Sequence, residues 1–275
     1  MRRDSKRLQL GCSFTARNGK FESTSLQRRV TSKIFGASSI KTPEPHGSLR
    51  CAPHNGLVAE QRSETRGVRQ GNVKTSPPDD KVIPRQQWNF GVIDRLFDNV
   101  TATIVSNTDS FHLFGLSAGS QCVLRYLALN EATAIGRAVT ANSGWYMLPD
   151  LSINYPDGMG GLGLDNSFVR RYLSRNLTIL LGDADNNPDS PDLPRNEAAR
   201  AQGPHRLARG LWHYEYCRNV AERLGTSFGW RLETVPGAVH VDQAMFEIGA
   251  QILVGLEDRE SWARVERIDL LLYGG

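Results

Sequence analysis

Hydrophobic positions along the chain fall into two regimes. Residues 1–80 show no sustained period of 2 or 3.6, and Pro43, Pro45, Pro53, Pro77 and Pro78 interrupt them. A short helix near Leu26–Phe35 is the only element their pattern suggests. The texture changes at Lys81. After Pro84, the apolar residues Trp88, Val92, Ile93, Leu96, Phe97 and Val100 recur at helical spacing and predict an amphipathic helix. Phe111–Phe114 predicts a short buried strand, and Gln121–Leu129 a helix. Arg137–Ala141 predicts a second strand and Phe168–Arg175 a second such helix. Leu177–Leu181 reads LTILL, the unbroken apolar run of a strand buried on both faces of a parallel sheet. His205–Leu224 predicts a long helix with Leu207, Leu211, Tyr214, Cys217, Val220, Ala221 and Leu224 as its apolar positions. Trp230–Val235 predicts a last strand and Val241–Val254 a closing helix. Residues 150–165 are glycine-rich and loop-like, and Pro188, Pro191 and Pro194 mark a long loop. Strands alternate with helices, so residues 81–260 read as an α/β unit with a mostly parallel sheet flanked by helices. No internal repeat is visible.

Charge follows the same division. Residues 1–80 carry 15 Lys/Arg and 7 Asp/Glu, and the remainder carries 18 and 22. The chain is therefore expected to comprise a basic, apolar-poor, poorly structured arm (1–80) and a mildly acidic globular domain (81–275). The basic charges of the arm are scattered, with no interleaved aromatics to stack on bases, so nucleic-acid binding is not expected. Cys12, Cys51, Cys122 and Cys217 lack metal-ligand spacing, and the last two are expected as buried thiols in helices. No apolar stretch is long enough to span a membrane. The start, MRRDSKR, is not followed by an apolar run, so no secretory signal is expected and the cytoplasm is the default compartment.

The chemistry begins at Gly115-Leu116-Ser117-Ala118-Gly119, between a predicted strand and a predicted helix. A strand that feeds directly into a helix needs a sharp, strained turn with small neighbours two residues either side of its apex. Such a turn presents Ser117 Oγ above the carboxyl end of the sheet. It also places the Ala118 N–H at a helix N-terminus, where it can face a developing oxyanion. A serine hydroxyl needs a base to take its proton, and the base needs an acid to orient it. The strand LTILL runs into Gly182-Asp183-Ala184-Asp185-Asn186-Asn187-Pro188. Asp185, three residues past the glycine, is the preferred acid, with Asp183 as the alternative. The strand RLETV runs into Pro236-Gly237-Ala238-Val239-His240, which places His240 in a loop at a strand end. His46 and His54 fall in the arm, His112 lies inside a strand, and His205 and His213 lie at or within a helix. His240 alone has the position of a general base. Serine, aspartate and histidine thus occur in the chain order expected when each follows a strand.

Taken together, FHLFGLSAGSQCVLRYL, ANSGWYMLPD, LTILLGDADNNP, GPHRLARG and WRLETVPGAVH resemble the α/β-hydrolase superfamily. Within it they are most similar to bacterial esterases related to poly(3-hydroxybutyrate) depolymerases and feruloyl esterases. The resemblance implies a Ser117–Asp185–His240 triad that hydrolyses small-molecule esters through an acyl-enzyme, with neither cofactor nor metal. It also implies an N-terminal half with further strands, one ending in a His-Gly loop that supplies a second oxyanion N–H. Residues 1–80 hold no such strand. Pro45-His46-Gly47 and Pro53-His54-Asn55-Gly56 have the letters, but neither follows an apolar run. The expectation is therefore a partial α/β-hydrolase fold in which Phe111–Phe114 becomes a sheet edge with an uncovered apolar face. Such a chain is either a serine esterase or an inactive relative that serves as an interaction module. The segment GMGGLG (158–163) lies between no strand and helix, so it is expected as a flexible loop near the site opening rather than a dinucleotide loop. Trp145, Tyr146 and Tyr155 are expected to form either an acyl-binding wall or part of the core.

Overall fold

A computed structural model describes residues 69–75, 79–104, 108–131 and 134–255. Most of the basic arm, with the Leu26–Phe35 helix and both His-Gly segments expected there, lies outside the described residues. The described residues divide near Asp109/Ser110 into two compact units.

In the first unit, Lys74 and Val82 form an antiparallel bridge, and Ile83 N–H donates to Val73 O at 2.8 Å. Pro84 opens a 3-10 turn at Arg85–Gln87. Trp88 then takes an extended conformation, and α1 begins at Gly91 and runs to Ile104. The single long helix expected from Pro84 onward is thus broken at Trp88, which buries its ring and donates its indole N–H to Ile83 O at 2.8 Å. The break rotates the register, and Val92, expected on the apolar face, is 52% exposed.

The second unit is built on a four-stranded, wholly parallel sheet in the order β1-β2-β3-β4. The strands are β1 (Phe111–Leu116), β2 (Ile135–Ala141), β3 (Leu177–Gly182) and β4 (Trp230–Val235). Connecting them are α2 (Ala118–Leu129), α3 (Asn166–Leu173), a short α4 (Glu197–Ala201) and α5 (Arg206–Leu224), and α6 (Gln243–Val254) follows β4. Every residue of β3 is buried, as its unbroken apolar run requires. One face of the sheet is closed by α6, where Met245 and Ile252 pack with Leu116, Val139, Ala141, Leu180 and Val235. On the other side α2 lies against β1 and β2 and buries Val123, Leu124 and Leu127. Side chains such as Leu180 and Leu127, both 0% exposed, each contribute about 1.5–3 kcal/mol of transfer free energy. Asp165 and Asp242 cap α3 and α6, accepting from Ser167 N–H and Ala244 N–H. Gly225 and Gly255 close α5 and α6 in the left-handed conformation.

Two features position the site. First, the strands end close to one level: Leu116 pairs with Ala141 and Ala141 with Leu180, and β3 and β4 run two residues further to the Gly182–Val235 pair. The first residues past β1, β2, β3 and β4 therefore meet along one rim. Second, β1 and α2 are longer than expected and meet with Ser117 alone between them. Among the described residues β1 is an edge strand, as expected, but its faces are not bare, because both α2 and α6 pack on it.

The glycine-rich segment also differs from expectation. Gly158 and Gly160 are buried and form bridges to Leu148 and Asn154. A Cβ on Gly160 would sit 2.5 Å from Leu151 O and 2.6 Å from Ile153 O, so these glycines serve close backbone packing rather than flexibility. Among the described residues no helix is long and apolar enough to cross a membrane. Replacing Gly160 by alanine is expected to cost about 1–3 kcal/mol, read as a lower Tm by calorimetry. An unchanged Tm would mean that the segment yields freely.

Candidate functional site

Ser117 has φ 54° and ψ −112°, a backbone conformation that only a tightly constrained turn holds in a non-glycine residue. Its N–H donates to Ala141 O at 2.9 Å, and its carbonyl accepts from Gln121 N–H at 3.2 Å. The two flanking glycines play unequal parts. A Cβ on Gly115 would lie 2.4 Å from Gly119 O, so strand and helix touch there, whereas a Cβ on Gly119 would meet nothing within 4 Å. The steric need expected at both positions exists only at Gly115. Ala118 opens α2, and its N–H is one of the first-turn donors that have no partner within a helix.

His240 lies in the loop after β4. Its Nε2 is 3.0 Å from Ser117 Oγ, and its Nδ1 is 2.9 Å from Asp185 Oδ2. A carboxylate accepts only, so Nδ1 carries the ring proton and Nε2 is left to accept from the serine hydroxyl. Asp185 is only 5% exposed, and its second oxygen Oδ1 meets Arg206 Nη1 at 3.3 Å. Arg206, itself 1% exposed, also donates to Ser190 Oγ at 3.0 Å. A carboxylate this deeply buried needs such compensation, because desolvating an unpaired charge costs several kcal/mol.

Asp183, the alternative acid, faces elsewhere. Its Oδ1 accepts from Gly237 N–H at 2.7 Å and so ties the loop after β3 to the loop after β4. Asp183 N–H to Val235 O (3.2 Å) and Ala184 N–H to Ala238 O (3.1 Å) complete the seam. Gly182 is required there, since its Cβ would meet Ala238 O at 2.4 Å.

Two residues of this constellation were not assigned a role from sequence. Arg206 lies in GPHRLARG, where nothing local distinguishes it from a surface arginine. Asn142, just past β2, reads as an ordinary turn residue. Its side chain is nevertheless fully buried and bonded to both loops.

The other described histidines are otherwise engaged. His112 Nδ1 accepts from Arg137 N–H at 2.8 Å, and His205 Nδ1 accepts from Ala208 N–H at the start of α5. His213 is stacked on Tyr146 at 4.4 Å, and burial pushes its pKa down to about 3. Cys217 Sγ lies 3.5 Å from His213 Nε2, but burial raises the thiol well above its ordinary range and keeps both groups neutral. The pair therefore lacks the thiolate a nucleophile needs. Cys122, expected as buried, is only half-buried as a residue, and desolvation still raises its thiol to about 11. Trp145, Tyr146 and Tyr155 are each at most 6% exposed, so they form core rather than open wall. Among the described residues no group of three or more side chains is arranged to hold a metal ion.

No family model and no curated protein matches the chain. Solved structures do. Poly(aspartic acid) hydrolase-1 from Sphingomonas sp. KT-1 is 35% identical, with a TM-score of 0.66 over 69% of this chain and 71% of that one. LpqC, a poly(3-hydroxybutyrate) depolymerase from Bordetella parapertussis, is 33% identical, with a TM-score of 0.66 over 73% of this chain and 68% of that one.

His213 makes a prediction of its own. A folded-state pKa near 3, against about 6.5 unfolded, means that its contribution to stability is complete above pH about 6.5. That contribution is lost as pH falls toward 3, because the unfolded chain takes up the proton first. Tm measured against pH should therefore fall less steeply in this window for His213→Gln than for the wild type. Parallel curves would contradict it.

Proposed function

The chain belongs to the α/β-hydrolase superfamily, and from that premise we propose that it is a serine hydrolase of carboxylic esters. Ser117 is the nucleophile, His240 the general base, and Asp185 the acid that orients the imidazole. The observation that carries this proposal is the continuous hydrogen-bonded chain from Ser117 Oγ through His240 to Asp185.

The chemistry follows from the geometry. His240 Nε2 takes the hydroxyl proton as Ser117 Oγ attacks the ester carbonyl. Negative charge moves to the carbonyl oxygen, and the Ala118 N–H, at the positive end of α2, stabilises it. The imidazolium gives its proton to the leaving alcohol, and an acyl-enzyme remains on Ser117. Water attacks by the same route, His240 again acting as base, and the acid is released. Asp185 holds the imidazole in the productive tautomer throughout. Arg206 and His240 together compensate its buried charge.

One relative is named for hydrolysis of poly(aspartic acid) and the other for depolymerising poly(3-hydroxybutyrate). These relatives support hydrolysis by this chain, and the hydrogen-bonded Ser117–His240–Asp185 chain supports acyl transfer to serine, for which a carboxylic ester is the simplest substrate.

The test is turnover of a p-nitrophenyl ester by the full-length protein. Ser117→Ala is expected to abolish it. Asp185→Asn is expected to lower kcat by about 10⁴-fold, while Asp183→Asn, whose amide oxygen still accepts from Gly237 N–H, costs far less. Equal losses at the two aspartates would overturn the assignment of the acid. Folded wild-type protein without turnover would favour the inactive relative.

A further inference from the structure

Asn142 follows β2 on the rim, is 0% exposed, and has φ 46°, a left-handed conformation that asparagine tolerates. Its backbone N–H donates to Leu180 O at 3.2 Å and extends the β2–β3 ladder by one residue. Its side-chain Oδ1 accepts from Gly182 N–H at 2.9 Å, while Nδ2 donates to His240 O at 3.1 Å and Val239 O at 3.3 Å. The partners fix the amide orientation. A flipped amide would set oxygen against two carbonyls and NH₂ against an N–H.

The neighbouring residue completes the arrangement, since Ala141 O accepts the Ser117 N–H. Two consecutive residues at the end of β2 therefore hold backbone atoms of all three loops. Ala141 holds the nucleophile. Asn142 holds Gly182, whose carbonyl accepts from Asp185 N–H at 3.1 Å, and it also holds the main chain of His240. The His240 loop needs such an anchor, because Val239 and Val241 on either side of it are 49% and 57% exposed. A base displaced by a fraction of an ångström no longer meets the hydroxyl in line.

We propose that Asn142 is a positioning residue for the reaction, its side-chain amide locking the His240 loop and the Asp185 turn to the end of β2. This rests on the serine-hydrolase proposal above. Asn142 touches no reacting atom; it acts through His240 and Gly182.

The test uses Asn142→Gly and Asn142→Asp in the full chain. Glycine accepts the left-handed backbone without steric cost but has no side chain to bridge the loops. Aspartate keeps the shape and the acceptor for Gly182 N–H, but it turns an oxygen toward the two carbonyls. Both are expected to slow phosphonylation of Ser117 by a fluorophosphonate, and kcat for a p-nitrophenyl ester, by about 10- to 100-fold. KM should stay within about twofold of wild type, because the base and not the substrate contact is disturbed. A folded variant with a lower Tm but wild-type phosphonylation would make the role purely structural and overturn the proposal. So would a loss carried by KM alone. If wild-type protein is not labelled at Ser117, the serine-hydrolase proposal fails and this one with it. If wild type is labelled and both variants match its rate, only this one fails. Should neither variant fold, amide exchange in the wild type decides. Slowly exchanging Nδ2 protons with cross-relaxation to Val239 or His240 support the lock, and fast exchange overturns it.

Discussion

Parallel pairing of β1 to β4 brings the carboxyl ends of all four strands to one rim. Because Leu116 and Ala141, and two residues further on Gly182 and Val235, end their strands at one rim, residues more than a hundred positions apart come within bonding distance. Ser117 leaves β1 with no spacer before α2, so its backbone is forced into a strained turn. Strain of this kind costs of order 1–3 kcal/mol and persists only where the surroundings hold it. Here the Ala141 carbonyl and the backbone contact of Gly115 with Gly119 provide that hold.

The loops past β3 and β4 are hydrogen-bonded directly to each other. Asp183, Ala184 and Gly182 form a backbone seam with Val235, Gly237 and Ala238. That seam sets where Asp185 and His240 begin. Burial then governs what they become. Asp185 is enclosed and must be compensated, and Arg206 and His240 do this from opposite sides. Removing either partner would leave the buried carboxylate with half its support.

The serine, the favoured aspartate and the histidine were legible in the sequence because each sits in a short local pattern. These are a strand ending in glycine and serine, a strand ending in Gly-Asp, and a strand ending in a loop histidine. Strand positions were legible for the same reason, since continuous apolar runs such as LTILL leave little choice. Asn142 and Arg206 were not legible, because their roles lie wholly in partners 40 to 98 and 16 to 21 residues away. That two of the glycines in GMGGLG, Gly158 and Gly160, serve packing rather than flexibility was not legible, since no local signal shows that backbone from residues 150–153 presses on them. The break at Trp88 was hidden because the helical spacing continues across it.

Ser117, His240 and Asp185 are proposed to work as one hydrogen-bonded chain. It is tested most directly by treating the full-length protein with a fluorophosphonate and locating the adduct by peptide mass spectrometry. One phosphonyl group per molecule is expected, on the peptide carrying Ser117, and none in heat-denatured protein or in His240→Ala. An adduct on another residue of the folded protein, or equal labelling of Ser117 after unfolding, would contradict it.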